Sequence, residues 1–234
     1  MYKTLRFCEN LFTAISLFFF SRGLFVFFLG LPSESNPDPD SALLRSIFLL
    51  IYLVTIFILA LRWRKTLRAF GKNQWVLLLM VLAISSILWS SIPSITFRKI
   101  IALIGSTLFG IYFGSHYDFD EQLKIMGWTF GTSIVLSFMF VILIPAYGVM
   151  NTKAIAGAWQ GIYLHKNNLG EMMFISSLVF YFLSEKTKKY RFIYQLACIA
   201  SVMLVYFADS LTSLVNVVFF LCCTESAEVS IFKI

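Results

Sequence analysis

Trp159, Gln160, His165, Lys166, Asn167 and Asn168 fall within ten consecutive positions of the stretch GAWQGIYLHKNNLGE, Gly157–Glu171. The chain around them is overwhelmingly apolar. The polar side chains among them would each cost several kcal/mol to bury in hydrocarbon, so their concentration at a membrane boundary points to a hydrophilic ligand. An ammonium, an imidazole and amides suit anionic or hydroxylic oxygens, and an indole suits the flat face of a ring. Asn168 stands three residues before Glu171, the spacing of a capping box with Asn in the Ser/Thr role. A helix opening there presents unpaired backbone N–H groups and the positive end of its dipole, with His165, Lys166 and Asn167 just before it. Together they make an anion site. The same residues also read as an ordinary interfacial loop, with Trp159 and Tyr163 in an aromatic belt, Lys166 snorkelling and Asn168 capping.

A second polar stretch, WSSIPSITFRK, covers Trp89–Lys99. Its Arg98 offers a planar, permanently charged fork suited to phosphate, or else anchors a helix end at lipid headgroups together with Lys99. Arg22 lies inside the first apolar run, where a cation is either functional or reaches outward to the interface. Gly110 and Gly114 have a helix-packing spacing. His116, Asp118, Asp120 and Glu121 resemble a metal cluster only superficially and read as a solvated loop. The chain has no Cys/His ligand spacing, no phosphate-binding glycine loop and no Gly-x-Ser-x-Gly elbow.

The elements that must position these residues are membrane helices. Hydrophobic residues make up 59% and charged residues 13% of 234, and the mean hydropathy is +0.82. A soluble domain lies near 45–50% apolar and about 25% charged. Apolar runs approaching the ~20 residues that cross a bilayer recur along the chain, which predicts an all-α, multi-pass bundle forming a single integral membrane domain over residues 1–234. The expected spans are Leu11–Leu31, Ala42–Leu61, Gln74–Ser90, Ile100–Gly114, Ile125–Val149, Leu169–Leu183 and Phe192–Ala208, with a short eighth at Leu211–Cys223.

Lys and Arg set the orientation. With a cytoplasmic N-terminus, Lys3 and Arg6, the loop holding Arg62, Arg64, Lys65, Arg68 and Lys72, and the loop holding Lys186, Lys188, Lys189 and Arg191 all lie inside. The acidic SESNPDPD segment, 33–40, and the Gly157–Glu171 island then face outside. The net charge of +7 gives no nucleic-acid footprint, because its basic residues cluster in short loops rather than along one face. The first apolar run is too long for a cleaved signal and reads as an uncleaved span. Cys8, Cys198, Cys222 and Cys223 all fall at or within expected spans and read as packing residues.

The ordered pattern of the island resembles the signature of the O-antigen ligase and exopolysaccharide polymerase family of bacterial membrane glycosyltransferases, roughly Gly-Ala-Trp-Arg-Gly-Ile-(aromatic)-x-His-Lys-Asn-x-Leu-Gly. The Trp-Ser-x-x-Pro of Trp89–Pro93, followed by Arg98, is similar to a second family segment, as is the Ser- and Thr-rich ADSLTSL of Ala208–Leu214. The resemblance covers about residues 75–215, and Gln160 stands where the family usually has Arg. It implies a bacterial inner-membrane protein, and an inverting glycosyl transfer on the external face without metal or other cofactor. A saccharide passes from an undecaprenyl-diphosphate carrier to an acceptor glycan or lipid. It further implies Arg98, Lys166, Asn167 and His165 as diphosphate contacts, with Trp159 and Tyr163 either in the headgroup zone or stacked on a sugar ring. Family members continue into a large external loop with a catalytic His, so this chain reads as a C-terminally shortened member and its catalytic base stays unassigned. The competing readings are a flippase for lipid-linked sugar and a non-catalytic membrane remnant.

Overall fold

The computed structural model describes residues 2–29, 41–64, 66, 71, 74–150 and 157–231. The acidic segment 33–40 and the basic residues Lys65, Arg68, Lys72 and Lys153 lie outside the described residues. The chain is all-helical, and the described residues contain no strand beyond one isolated bridge, Val149 with Trp159. In order the α-helices are α1 (Tyr2–Phe20), α2 (Phe25–Leu29), α3 (Ala42–Leu61), α4 (Gln74–Ser85), α5 (Pro93–His116), α6 (Phe119–Leu143), α7 (Pro145–Gly148), α8 (Lys166–Lys186), α9 (Arg191–Phe207) and α10 (Leu211–Ile231). Among the described residues, four stretches are long and apolar enough to cross a membrane: α3, α5, α6 and the Lys188–Phe207 run containing α9. Leu43, Leu50, Leu53 and Phe57 are exposed along α3, an apolar face that lipid satisfies and water would not.

The chain forms two compact units, Ser41–Gln122 and the remainder. In the Ser41–Gln122 unit, the Ser41 hydroxyl caps α3 by accepting from Leu44 N at 3.4 Å. Pro93 opens α5, where its fixed φ and missing N–H cost nothing. The helix therefore begins seven residues before the expected Ile100, and Arg98 is inside it rather than at its start. Helices α3 and α5 meet where Gly105 lies under the Tyr52 ring; a Cβ there would stand 2.5 Å from it. Gly110 and Gly114, the expected packing pair, have open space within 4 Å of where a Cβ would stand, so the close approach comes earlier along the helix.

The other unit is built around α8. Leu169, Met173, Val179, Phe180 and Leu183 are buried on it, packed with Leu123, Phe130 and Ile134 of α6 and Leu204 and Val205 of α9. Small residues allow the close contacts: Gly127 faces Leu183, and Gly170 faces Ser210 and Ser213. Ser176 and Ser201 hydroxyls pair at 2.8 Å across α8 and α9, and Thr129 Oγ1 of α6 donates to Ala14 O of α1 at 3.3 Å.

Two expected spans differ in form. Leu11–Leu31 is not one helix: α1 stops at Phe20, a turn places Arg22 (φ 64°) and Leu24 (φ 62°) in the left-handed region, and α2 restarts at Phe25. Nor does the fifth run to Val149. Pro145 disfavours helical geometry at Ile144 (φ −135°, ψ 62°), so α6 ends at Leu143. The short α7 then folds back until Gly148 meets the Phe140–Val141 backbone, where any side chain would overlap.

Candidate functional site

The island Gly157–His165 folds as a compact plug at one end of the α8-centred unit. Its backbone is tied down at intervals: Gln160 N and Gly161 N both donate to Gly148 O, at 2.9 and 3.0 Å, and Leu24 N donates to Ile162 O at 3.1 Å. Gly157 (φ 93°) and Gly161 (φ 58°) take the left-handed turns that let the chain reverse. At Gly161 the need for glycine is double, because a Cβ would also stand 2.7 Å from Ser137. Ile162 and Tyr163 are fully buried. The Tyr163 hydroxyl points toward Ser21 and Ser133 without closing a hydrogen bond to either, and burial pushes its phenol up to about 12.

The six residues singled out from the sequence have different surroundings. Gln160 is 2% exposed, and its Nε2 donates to Tyr147 O at 2.8 Å, binding the island to α7. Trp159 is half-buried, stacked on Phe207 at 4.3 Å and edge-on to Phe138. His165, not Asn168, is the N-cap of α8: its extended backbone (φ −150°, ψ 147°) turns the ring back so that Nδ1 accepts from Asn167 N at 3.2 Å. Nδ1 is therefore the acceptor and Nε2 carries the proton. Asn168 is already in the first turn, so the expected Asn168–Glu171 capping box does not form. Asn167 is exposed at the helix mouth.

Lys166 has a buried stem, its side chain only 14% exposed, and its Nζ lies 2.9 Å from both the main-chain O and Oδ2 of Asp209. Asp209 occupies the turn between α9 and α10 with φ 48°, its own side chain 78% exposed. Sequence reasoning misses Asp209. Its segment stands out only for Ser and Thr, and nothing local couples it to a lysine 43 positions away. Three contacts in register join the two segments: Trp159 on Phe207, Lys166 on Asp209, and Gly170 on Ser210.

Arg98 belongs to the Ser41–Gln122 unit, exposed in the second turn of α5 beside an exposed Lys99. Arg22 is exposed in the turn between α1 and α2. His116 closes α5 and stacks on Tyr112 at 5.4 Å while touching the Arg62 guanidinium. No group of three His, Cys, Asp or Glu able to hold a metal occurs among the described residues. Comparison of the chain with known families, curated proteins and solved structures finds no match.

Proposed function

We propose that the chain is a multi-pass protein of the bacterial inner membrane that handles an undecaprenyl-diphosphate-linked saccharide at the external face, serving ligation or polymerisation of a surface polysaccharide. The reading takes seven or eight spans from the apolar runs, a cytoplasmic N-terminus from the Lys and Arg bias, and the carrier from the resemblance of Gly157–Glu171 to the O-antigen ligase and polymerase signature. One structural observation carries it furthest. The island and the α9–α10 turn together put Trp159, Lys166, Asn167 and Asp209 at one end of the α8-centred unit, bringing aromatic, cationic, amide and carboxylate groups to the same end. A saccharide head group needs that mixture. His165 sets the mouth by capping α8, while Arg98 enters as a diphosphate contact through the resemblance alone. In such a transfer, cations near the leaving diphosphate stabilise the charge that develops as it departs.

The test is direct binding of undecaprenyl-diphosphate-N-acetylglucosamine to the detergent-purified chain. Saturable binding is expected, weakened by Lys166→Ala about tenfold, the scale of one charge-assisted hydrogen bond. Absence of binding to this carrier and to bare undecaprenyl diphosphate ends the proposal.

One observation favours the flippase reading. The first apolar run is broken between α1 and α2, and the same unit buries the hydroxyls of Ser16, Ser133 and Ser137; interrupted helices and interior polar groups are transporter features. Carrier translocation by the protein in sealed liposomes, without any transfer to an acceptor, selects that reading over the first.

A further inference from the structure

We infer that the Trp159–Phe207 aromatic pair and the Lys166–Asp209 ion pair form a saccharide subsite that takes the sugar ring rather than the diphosphate. The inference rests on the carrier reading above for the lipid, but its argument is local. The ammonium and the carboxylate stand 2.9 Å apart and cancel, so the mouth carries no net charge there. A second anion would be repelled by Asp209 as strongly as Lys166 attracts it. What remains is a set of hydrogen-bonding atoms. Lys166 has three N–H donors and spends two on Asp209, leaving one. Asp209 offers Oδ1 and the open side of Oδ2 on a side chain that is 78% exposed. A donor and acceptors side by side match the hydroxyl rim of a pyranose, each of whose groups both gives and takes a hydrogen bond.

The ring's other feature is an apolar C–H face, which needs a flat, partly wet aromatic surface. Phe207 is 37% exposed and stacked on the half-buried Trp159, two residues from Asp209 in sequence. The two pairs are rigidly related, because Trp159 N donates to Phe207 O at 3.0 Å and Lys166 holds the main chain as well as the side chain of Asp209. A platform and a polar edge are thus fixed to one another before any ligand arrives.

The experiment compares bare undecaprenyl diphosphate with the same carrier bearing N-acetylglucosamine, using the full chain in detergent. In the parent, the sugar is expected to tighten binding about tenfold, the scale of one net charge-assisted hydrogen bond. Asp209→Asn and Phe207→Ala are each expected to bring that ratio near one, whatever they do to the bare carrier. Asp209→Glu, which keeps the carboxylate, is expected to retain much of it and separates recognition from misfolding. A ratio of one in the parent, or an unchanged ratio in both Asp209→Asn and Phe207→Ala, overturns the subsite. Should neither carrier bind, the carrier reading fails on its own. The subsite is then decided by saturation-transfer NMR with methyl N-acetylglucosaminide. Transfer that is present in the parent and lost in Phe207→Ala supports it, and no transfer overturns it.

Discussion

At the scale of single residues, the island is governed by two demands, positive φ and the absence of side-chain volume. Gly161→Ala meets both penalties at once: a left-handed alanine costs ~1–2 kcal/mol and overlap with Ser137 adds about 1–3. A loss of several kcal/mol is expected in detergent-solubilised unfolding, whereas Gly157→Ala, with open space around it, should lose only the backbone part. Tyr163 makes the opposite case. Its hydroxyl is buried without a partner, so Tyr163→Phe should leave stability unchanged or raise it by up to ~1–2 kcal/mol. The pH dependence has a definite sign. Below pH ~10 the phenol is protonated in both folded and unfolded chains, and it contributes no slope. Between ~10 and about 12 the unfolded chain releases the proton while the folded one keeps it, so stability falls by up to ~1.4 kcal/mol per pH unit. Denaturation of parent and Tyr163→Phe across that window should diverge, the parent losing more.

At the scale of elements, the caps show what is legible in the sequence and what is not. Helix α3 is bounded at Ala42 and Leu61 as expected, because uniform apolarity runs between Ser41 and Arg62 and both ends are marked by polar residues. Helix α9 likewise starts and stops within a residue of its expected bounds. The start of α8 is displaced from its expected place because His serves as its cap, a role local statistics assign to Ser, Thr, Asp or Asn. His165→Ala should therefore cost about 1 kcal/mol and His165→Asn much less. Asn168→Ala should be nearly neutral by the same measurement, whereas a capping box at Asn168 would make it the costly change. The α1–α2 break is invisible for a different reason. Its left-handed residues are Arg22 and Leu24, which have no turn preference, while Gly23 between them is a lone glycine in an apolar run and does not itself take positive φ.

At the scale of the whole molecule, helicity and apolarity are plain in the sequence, while the candidate site depends on pairings it does not display. Lys166 is legible as a cation, but nothing in the Ser- and Thr-rich stretch that holds its partner Asp209, or in the neighbouring stacking partner Phe207, announces a pairing with the island. Such contacts arise only when helices pack. Orientation is testable without reference to any ligand. In a background freed of native cysteines, Ser94→Cys and Asn167→Cys should react with an impermeant maleimide on intact cells, and Thr66→Cys and Thr187→Cys only after permeabilisation. Labelling of Thr66→Cys from outside reverses the orientation.

The burial of α8 bears on how the chain is made. Its side chains include Lys166, Glu171, Glu185, Lys186 and serines at 176, 177 and 184, so as an isolated segment leaving the ribosome it would partition poorly into lipid. Ser177 and Ser184 donate to carbonyls of α8 itself, but Ser176 pairs with Ser201 of α9, and the helix's apolar surface is covered by α6 and α9. Helix α8 is thus expected to wait at the translocon and enter the bilayer together with α9 as a hairpin. Reporter-glycosylation mapping should show α8 alone largely passing through and the α8–α9 pair retained. Replacing Ser201 by a bulky leucine should weaken that retention, although the change makes α9 more apolar.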